Sequence, residues 1–312
     1  LFIKTLRESR ELIVYKLLNS RMKLNSKNKS QFLQLLKGYE GEKEFNSLLK
    51  DLTGDFLIIN DVLLNKNNSL FQIDTQLISQ NTIYLFDVKN YEGDFYIKED
   101  RWYSIATGKE IQNPLTQLSR CSSLFRRYLQ DLGINNFLVK EILIFINPEF
   151  TLYEAPRNQP IVLPTQLNRF LKMLESTTSQ LGDNHYKLAE QITSDHIKVN
   201  PFSQVPDYEY EQLKKGVTCK LCYSFMVPFN IKELICKNCG RAEALEYAIL
   251  RNVKEFSMLF PDIKITTKII HEWCKVDVSM KTIRRILVKN LTRKYHGRYS
   301  YYTFPSEEKG NN

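Results

Sequence analysis

Apolar positions recur along this chain with two different periods, and the changes of period mark out its elements. LLKGYEGEKEFNSLLKDL spaces Phe45, Leu48, Leu49 and Leu52 three and four residues apart, which predicts a helix beginning after a glycine-containing turn. FLIINDVLL, SLFQIDTQLIS and TIYLFDVKN are strand-length apolar runs and predict three strands, with Asp74 in the second. After IQNPL, the stretch TQLSRCSSLFRRYLQDL returns to helical spacing, and KEILIFIN is an apolar run of the kind buried in a sheet. Helix, three strands, helix, strand predicts an α/β core. NPEFTLYEAPRNQPIVLP, with its prolines, reads as an irregular connection, TQLNRFLKMLE as a helix, and Ser176 to Asp207 as a polar, partly helical connector.

The last third of the chain is helical in pattern. ALEYAILRNVKEFSMLF places Leu245, Ile249, Val253 and Phe256 on one stripe. A second helix runs through Ile269, Ile270 and Trp273, and a short break at Lys275 to Val278 follows. Ser279 is placed to cap a third helix with an apolar stripe of Ile283, Ile286, Leu287 and Leu291. Its other face carries Lys281, Arg284, Arg285 and Lys289, so helix, turn and basic helix form a helix-turn-helix pattern suited to a DNA major groove. KYHGRYSYYTF alternates aromatic and basic residues, Arg298 among them, around Gly297, as a winged-helix hairpin does. A trihelical packing unit without nucleic acid fits the same pattern.

Charge changes the picture through its distribution. The net charge of +9 divides into three blocks. Residues 1–37 hold nine Lys and Arg against two Asp and Glu, residues 38–212 hold 16 against 24, and residues 213–312 hold 19 against nine. Two basic ends therefore flank an acidic middle, an arrangement in which the ends favour polyanions and the middle offers carboxylates for a metal. Solvated charged faces are the plainer explanation of the same counts. With 43% hydrophobic and 25% charged residues the composition is that of a globular protein, and no apolar run is long enough for a membrane helix. Glu8 and Glu11 interrupt the basic, apolar N-terminal stretch and argue against a signal peptide, which makes a cytoplasmic location the default expectation. Neither an internal repeat, a P-loop nor a G-x-S-x-G elbow is present, which disfavours ATP-driven and acyl-transfer chemistry.

Four of the six cysteines fall as Cys219-x2-Cys222-x13-Cys236-x2-Cys239. Two CxxC knuckles at this separation predict a closed, tetrahedral four-cysteine zinc site of structural type. Gly240 after the second pair suits the knuckle turn. A redox dithiol or a chance pairing is the alternative, while Cys121 and Cys274 read as small buried hydrophobes.

Carboxylates and a lysine also have a pattern within the α/β core. Asp74 sits on one predicted strand and Asp87-x-Lys89 on the next, with Asp87 and Lys89 on one face, and Glu42 lies near the buried face of the preceding helix. Two carboxylates on neighbouring strands suit a divalent cation, and a nearby lysine suits orientation of an attacking water. This order resembles the PD-(D/E)XK nuclease superfamily. More closely, G-Y-E-G-E, Q-I-D, F-D-V-K-N-Y-E-G-D and N-P-L-T-Q resemble the NERD, or nuclease-related, domain over about Lys37 to Pro164. The resemblance implies Glu42 as the helix acid, Asp74 and Asp87 as ligands of Mg²⁺ or Mn²⁺, Lys89 as the catalytic lysine and Gln117 as a polar helper on the following helix. Asp87 stands where many relatives have Glu, and Ile73 where the superfamily pattern has Pro.

These readings give an expected architecture. It is an α/β restriction-endonuclease-like core, a mixed sheet flanked by helices, with a four-cysteine zinc ribbon and a small helical, winged-helix-like C-terminal domain. The expected divisions are a basic helical arm at 1–37, the NERD domain at 38–175, a connector at 176–212, the ribbon at 213–245, the helix-turn-helix-like domain at 246–305 and a polar tail at 306–312. The expected function is metal-dependent hydrolysis of DNA phosphodiesters by a bacterial protein, in DNA processing or defence against foreign DNA. Its alternatives are a non-catalytic DNA-binding or regulatory scaffold and a protein-interaction component of a defence or plasmid system, as a homo-oligomer or with a partner from that system.

Overall fold

The computed structural model describes residues 1–177, 179–201, 203–296 and 299–305, with the backbone alone at 296 and 299. In chain order the first elements are β1 (Phe2–Lys4), α1 (Arg10–Arg21), α2 (Ser26–Lys50), β2 (Leu57–Lys66), β3 (Ser69–Ile78) and β4 (Thr82–Lys89). Next come β5 (Gly93–Lys98), β6 (Arg101–Ser104), β7 (Glu110–Ile111), α3 (Pro114–Asp131), β8 (Leu138–Phe145), β9 (Phe150–Tyr153) and β10 (Ile161–Val162). Helices α4 (Leu167–Glu175) and α5 (Asp183–Ser194) follow, then β11 (Met226–Pro228), β12 (Glu233–Cys236) and β13 (Ala242–Ala244). The chain closes with α6 (Leu245–Leu259), α7 (Thr267–Cys274), α8 (Met280–Asn290), β14 (Thr292–His296) and β15 (Tyr299–Thr303). Among the described residues no helix is long and apolar enough to cross a membrane.

These elements form two units, one of Leu1–Glu8 with Leu33–Ser203 and the other of Ser9–Phe32 with Gln204–Asn312. Residues 1–37, expected as one basic arm, are therefore divided between them.

The first unit is built on a mixed six-stranded sheet in the order β1-β2-β3-β4-β8-β10. Strands β2, β3 and β4 pair antiparallel, and β4 pairs parallel with β8 across the α3 crossover. The central strands read as near-continuous apolar runs because both faces are covered. Cys121 and Phe125 of α3, with Leu188, Ala189 and Ile192 of α5, pack on Leu57, Ile59, Ile83 and Leu85. On the opposite face Phe45 and Leu49 of α2, with Leu167 and Leu174 of α4, pack on Ile58, Leu77 and Phe86. Helix α5 lies in the segment expected as a connector, yet its short stripe is part of this core. A second sheet, β7-β6-β5-β9, buries Trp102, Phe150 and Leu152 against Leu143 and Phe145. The proline-bearing segment expected to be irregular thus supplies β9, paired parallel with β5, and β10, paired parallel with β8. Both strands are too short to carry a period of their own, and their pairing partners are remote in sequence.

Helix α2 corrects a second expectation. Instead of starting after a glycine turn, it starts at Ser26, where Asn25 Oδ1 accepts from Asn28 N, and runs through both Gly38 and Gly41. Isolated glycines weaken a helix by only about 1 kcal/mol each, which the packing of the Phe45 and Leu49 face outweighs.

In the second unit, the guanidinium of Arg21 on α1 is fully buried. It donates to the carbonyls of Lys214 (2.9 Å) and Gly216 (3.1 Å) and to Asn252 Oδ1 (3.0 Å), pairs with Glu255 at 3.4 Å, and lies 4.0 Å from the Trp273 ring centroid. Burial lowers its pKa and the Glu255 carboxylate opposes that shift. Glu255 is also held by Arg251 at 2.6 Å. Arg21→Met is expected to destabilise this unit by about 3 kcal/mol, because two carbonyls lose their donor out of water and Glu255 loses one of its two cations. With Trp102 replaced by Phe so that Trp273 alone reports, fluorescence-detected urea unfolding measures that loss.

Candidate functional site

The site begins with how β3 and β4 part company. Their ladder runs from Ile78↔Ile83 to Thr75↔Phe86, a register that carries Asp74 up to Asp87 at its end. There the backbone amide of Val88 donates to Asp74 Oδ2 at 3.0 Å, so a side-chain carboxylate takes the place of a strand carbonyl. On β4, Tyr84, Phe86 and Val88 face the α2 side of the sheet, and alternation turns Asp87 and Lys89 to the other. Lys89 Nζ lies 2.7 Å from Asp87 Oδ1. Asp87 is 6% exposed, and its Oδ2 has no hydrogen-bond partner among the described residues.

Glu42 reaches this group from α2. Two contacts pin the helix over the end of β4. Asn90 Nδ2 donates to the Lys37 carbonyl at 2.9 Å, and Gly41 lies so close that an added Cβ would stand 2.7 Å from Asn90 Cβ and 3.3 Å from Ile146 Cγ2. Gly38 faces open space. Gly38→Ala should therefore stabilise the fold by about 0.5–1 kcal/mol, as for any exposed helical glycine. Gly41→Ala should reverse the sign, costing about 1 kcal/mol or more as α2 is pushed off β4. Parallel denaturant titrations of the two variants check the contrast.

A buried polar network absent from the sequence expectations holds the same helix to the strands. Asn60 Nδ2 donates to Asn46 Oδ1 at 2.7 Å, Thr75 Oγ1 donates to Asn60 Oδ1 at 2.9 Å, and Asn46 Nδ2 donates to the Glu42 carbonyl at 3.1 Å. Thr75 is next to Asp74, and Asn46 is one turn from Glu42, so this network fixes both acids at once. Beside it Asp61, at φ 50°, pairs with Lys4 at 3.6 Å and accepts from Gln72 Nε2 at 2.9 Å.

Electrostatics joins these groups. Burial raises Glu42 to about 7, the charges of Asp61 and Asp87 add to the rise, and Lys89 opposes it. Burial pushes Asp74 well above the usual carboxylate range, with further rises from Asp87 and Glu42. At Lys89 burial disfavours the ammonium, but Asp87 and Asp74 outweigh it and raise the pKa. The three acids thus repel one another around a single cation. An orphaned buried carboxylate oxygen beside a second carboxylate is a donor set that fits a divalent cation. Gln117 is exposed on α3, and among the described residues no hydrogen bond or ion pair joins it to the other four.

In the second unit the sulfurs of Cys219, Cys222, Cys236 and Cys239 all lie within 4.8 Å of one another. The Cys219–Cys239 and Cys222–Cys236 separations are 3.6 and 3.4 Å, and all four are free thiols. Tetrahedral metal–sulfur bonds of about 2.3 Å demand sulfur separations of roughly 3.8 Å, so the cage fits a tetrahedral ion. It is carried on the antiparallel sheet β11-β12-β13, where Met226 pairs with Cys236, and Gly240 takes the φ of 72° that the second knuckle needs.

Helices α6, α7 and α8 follow the ribbon. Ser279 caps α8 by accepting from Thr282 N at 3.2 Å, and His271 Nε2 donates to the Val278 carbonyl at 2.8 Å, fixing the turn between α7 and α8. Ile283, Ile286 and Leu287 are buried, while Lys281, Arg284, Arg285 and Lys289 are exposed. Lys289 is paired with Glu246 at 2.9 Å. Strands β14 and β15 form the expected hairpin, tied to the start of α7 by Tyr302 N donating to the Ile265 carbonyl at 2.9 Å. Arg298 and Gly297 lie outside the described residues, as does the 306–312 tail.

A mixed sheet flanked by helices, carrying an acid on the leading helix, an Asp on one central strand and Asp-x-Lys at the end of the next, is a nuclease-like core. Residues 37–146 match the family model of the nuclease-related domain, NERD, and this stretch of the chain is a nuclease-related domain. No curated protein and no solved structure matches the chain.

Proposed function

We propose that this protein is a divalent-metal-dependent nuclease that hydrolyses DNA phosphodiester bonds, with Mg²⁺ or Mn²⁺ at Asp74 and Asp87 and a structural Zn²⁺ in the four-cysteine cage. The observation that carries the reading is the pair formed by Asp87, whose Oδ2 is buried and unpartnered, and Lys89, 2.7 Å from its other oxygen. A surface strand end would leave both groups to water. The bound cation supplies Lewis acidity and lowers the pKa of a coordinated water. Asp74 and Asp87 would hold it, with Asp74 fixed by Val88 N. Lys89, kept protonated by its two aspartates, is placed to neutralise charge that develops at the phosphate. Glu42, with a pKa near 7, is poised to take up or release a proton at the nucleophile. Incubating purified protein with plasmid, linear and single-stranded DNA, in Mg²⁺ or Mn²⁺ and in EDTA, tests the reading.

The chain's acidic middle repels phosphates at a distance, so docking is assigned to the basic C-terminal third. On α8 the exposed Lys281, Arg284 and Arg285 are the contacts proposed for the DNA backbone, with Lys289 partly neutralised by Glu246. Replacing Arg284 and Arg285 with Ala should weaken duplex binding and flatten the log Kd against log salt plot by about 2 units. Fluorescence anisotropy across a salt series reads both, and a double mutant that titrates like wild type would move docking elsewhere.

A further inference from the structure

The metal-binding reading leaves one fully buried polar side chain without a role. Gln76 on β3 is 0% exposed, and neither Nε2 nor Oε1 has a hydrogen-bond partner among the described residues. It stands in a row with Ile59 on β2 and Leu85 on β4, both fully buried. An apolar side chain would fill that row without a polar debt, so a carboxamide there calls for a polar partner.

Strand alternation shows where that partner lies. Gln76 pairs with Leu85, and Leu85 shares a face of β4 with Asp87. Helix α3 covers this face, with Cys121 and Phe125 in the same core cluster as Ile59 and Leu85. The Cys121 thiol donates to the Gln72 carbonyl at 3.3 Å, which seats α3 against β3. Two more buried atoms are unmatched here, Asp87 Oδ2 and the Oγ of Ser122, the residue after Cys121. A carboxamide, a hydroxyl and a carboxylate oxygen supply both the donors and the acceptors that an enclosed water requires.

We infer that Gln76 is a positioning residue of the nuclease-like site. Gln76 and Ser122 hold a buried water that donates to one lone pair of Asp87 Oδ2, and this network sets the Asp87 carboxylate in the orientation that leaves its other lone pair to the cation. The inference rests on the proposed metal site and extends it inward to a layer of uncharged groups. A carboxamide meets the need where a carboxylate would add a further negative charge and an aliphatic chain would offer no hydrogen bond.

The test is calorimetric titration of Mn²⁺ into the full, zinc-loaded chain, for wild type, Gln76→Leu, Gln76→Met and Asp87→Asn, with thermal unfolding of each zinc-loaded protein before Mn²⁺ is added. Gln76→Leu is expected to weaken Mn²⁺ binding about 10- to 100-fold, the size of effect seen when groups behind metal ligands are removed. Its unfolding temperature before Mn²⁺ is added should be unchanged, since Leu fills the row and the enclosed water leaves with the amide. Equal Mn²⁺ affinity in wild type and Gln76→Leu, with binding still lost in Asp87→Asn, overturns the role of Gln76 and leaves the metal site standing. Absence of Mn²⁺ binding in wild type, or wild-type binding by Asp87→Asn, overturns the metal site and this inference with it. Gln76→Met repeats the comparison with an unbranched chain. If both variants lose stability before Mn²⁺ is added along with affinity, Gln76 is a structural residue and the inference fails.

Discussion

Asp87→Ala and Lys89→Ala should each lower metal-dependent DNA cleavage by about a thousandfold or more while leaving DNA affinity within about twofold of wild type. The size follows from the location of the pair. Asp87, the proposed ligand, is buried with an oxygen that has no hydrogen-bond partner among the described residues, and Lys89 is its only ion-pair partner among them. Losing either group removes charge that matters at the reacting phosphate, where one electrostatic contact is worth about 10²–10³ in rate. Losing Asp87 should also cost metal occupancy. Docking, assigned to α8, should not change. Single-turnover cleavage and equilibrium DNA binding, measured on the same preparations, separate the two effects. Retained cleavage in both variants would remove the pair from the chemistry.

The second large effect belongs to the ribbon. Purified protein should hold about one tightly bound zinc per chain by elemental analysis. Cys236→Ser should lose it and unfold the region from Val217 to Ala244. Cys236 is fully buried and is paired in register with Met226, and this small sheet has few large apolar side chains to hold it otherwise. Binding of a structural zinc supplies on the order of 10 kcal/mol in peptides of this kind, more than such a sheet stabilises alone. Hydrogen exchange should show protection lost across β11, β12 and β13 and kept in β2, β3 and β4. Full protection of the ribbon in a zinc-free Cys236→Ser protein would contradict the assignment.

The parts of this structure that were legible in its sequence are those with a period or a spacing of their own. Strands β2, β3, β4 and β8 and helices α3, α6 and α8 follow from apolar patterning, and the four cysteines from two CxxC spacings. The meeting of Asp87 and Lys89 follows from the period of two in a strand. What depended on register or on remote partners was not legible. The start of α2 was hidden because Gly38 and Gly41 look like a turn, and only the approach of Asn90 explains why a glycine is needed at one of them. Strands β9 and β10 are short and are defined by pairing with β5 and β8. The Asn46–Asn60–Thr75 network and Gln76 carry no spacing signal, since ordinary polar residue types become a site only when α2, β2 and β3 are brought together. Lys281, Arg284 and Arg285 were legible as an exposed basic face, but the pairing of Lys289 with Glu246 was not, because Glu246 comes from α6.

The group formed by Asp74, Asp87 and Lys89 is proposed to cut DNA with the help of a divalent cation. Its most direct test is the Mn²⁺ dependence of DNA cleavage by wild type and Asp87→Asn in parallel, with folding of both confirmed by circular dichroism. Wild-type cleavage should rise from none in EDTA to a plateau with Mn²⁺, and Asp87→Asn should stay at the EDTA level throughout. A wild-type protein that is folded and bound to DNA yet leaves plasmid, linear and single-stranded DNA intact at every Mn²⁺ and Mg²⁺ concentration would contradict it, as would an Asp87→Asn curve that overlays the wild type.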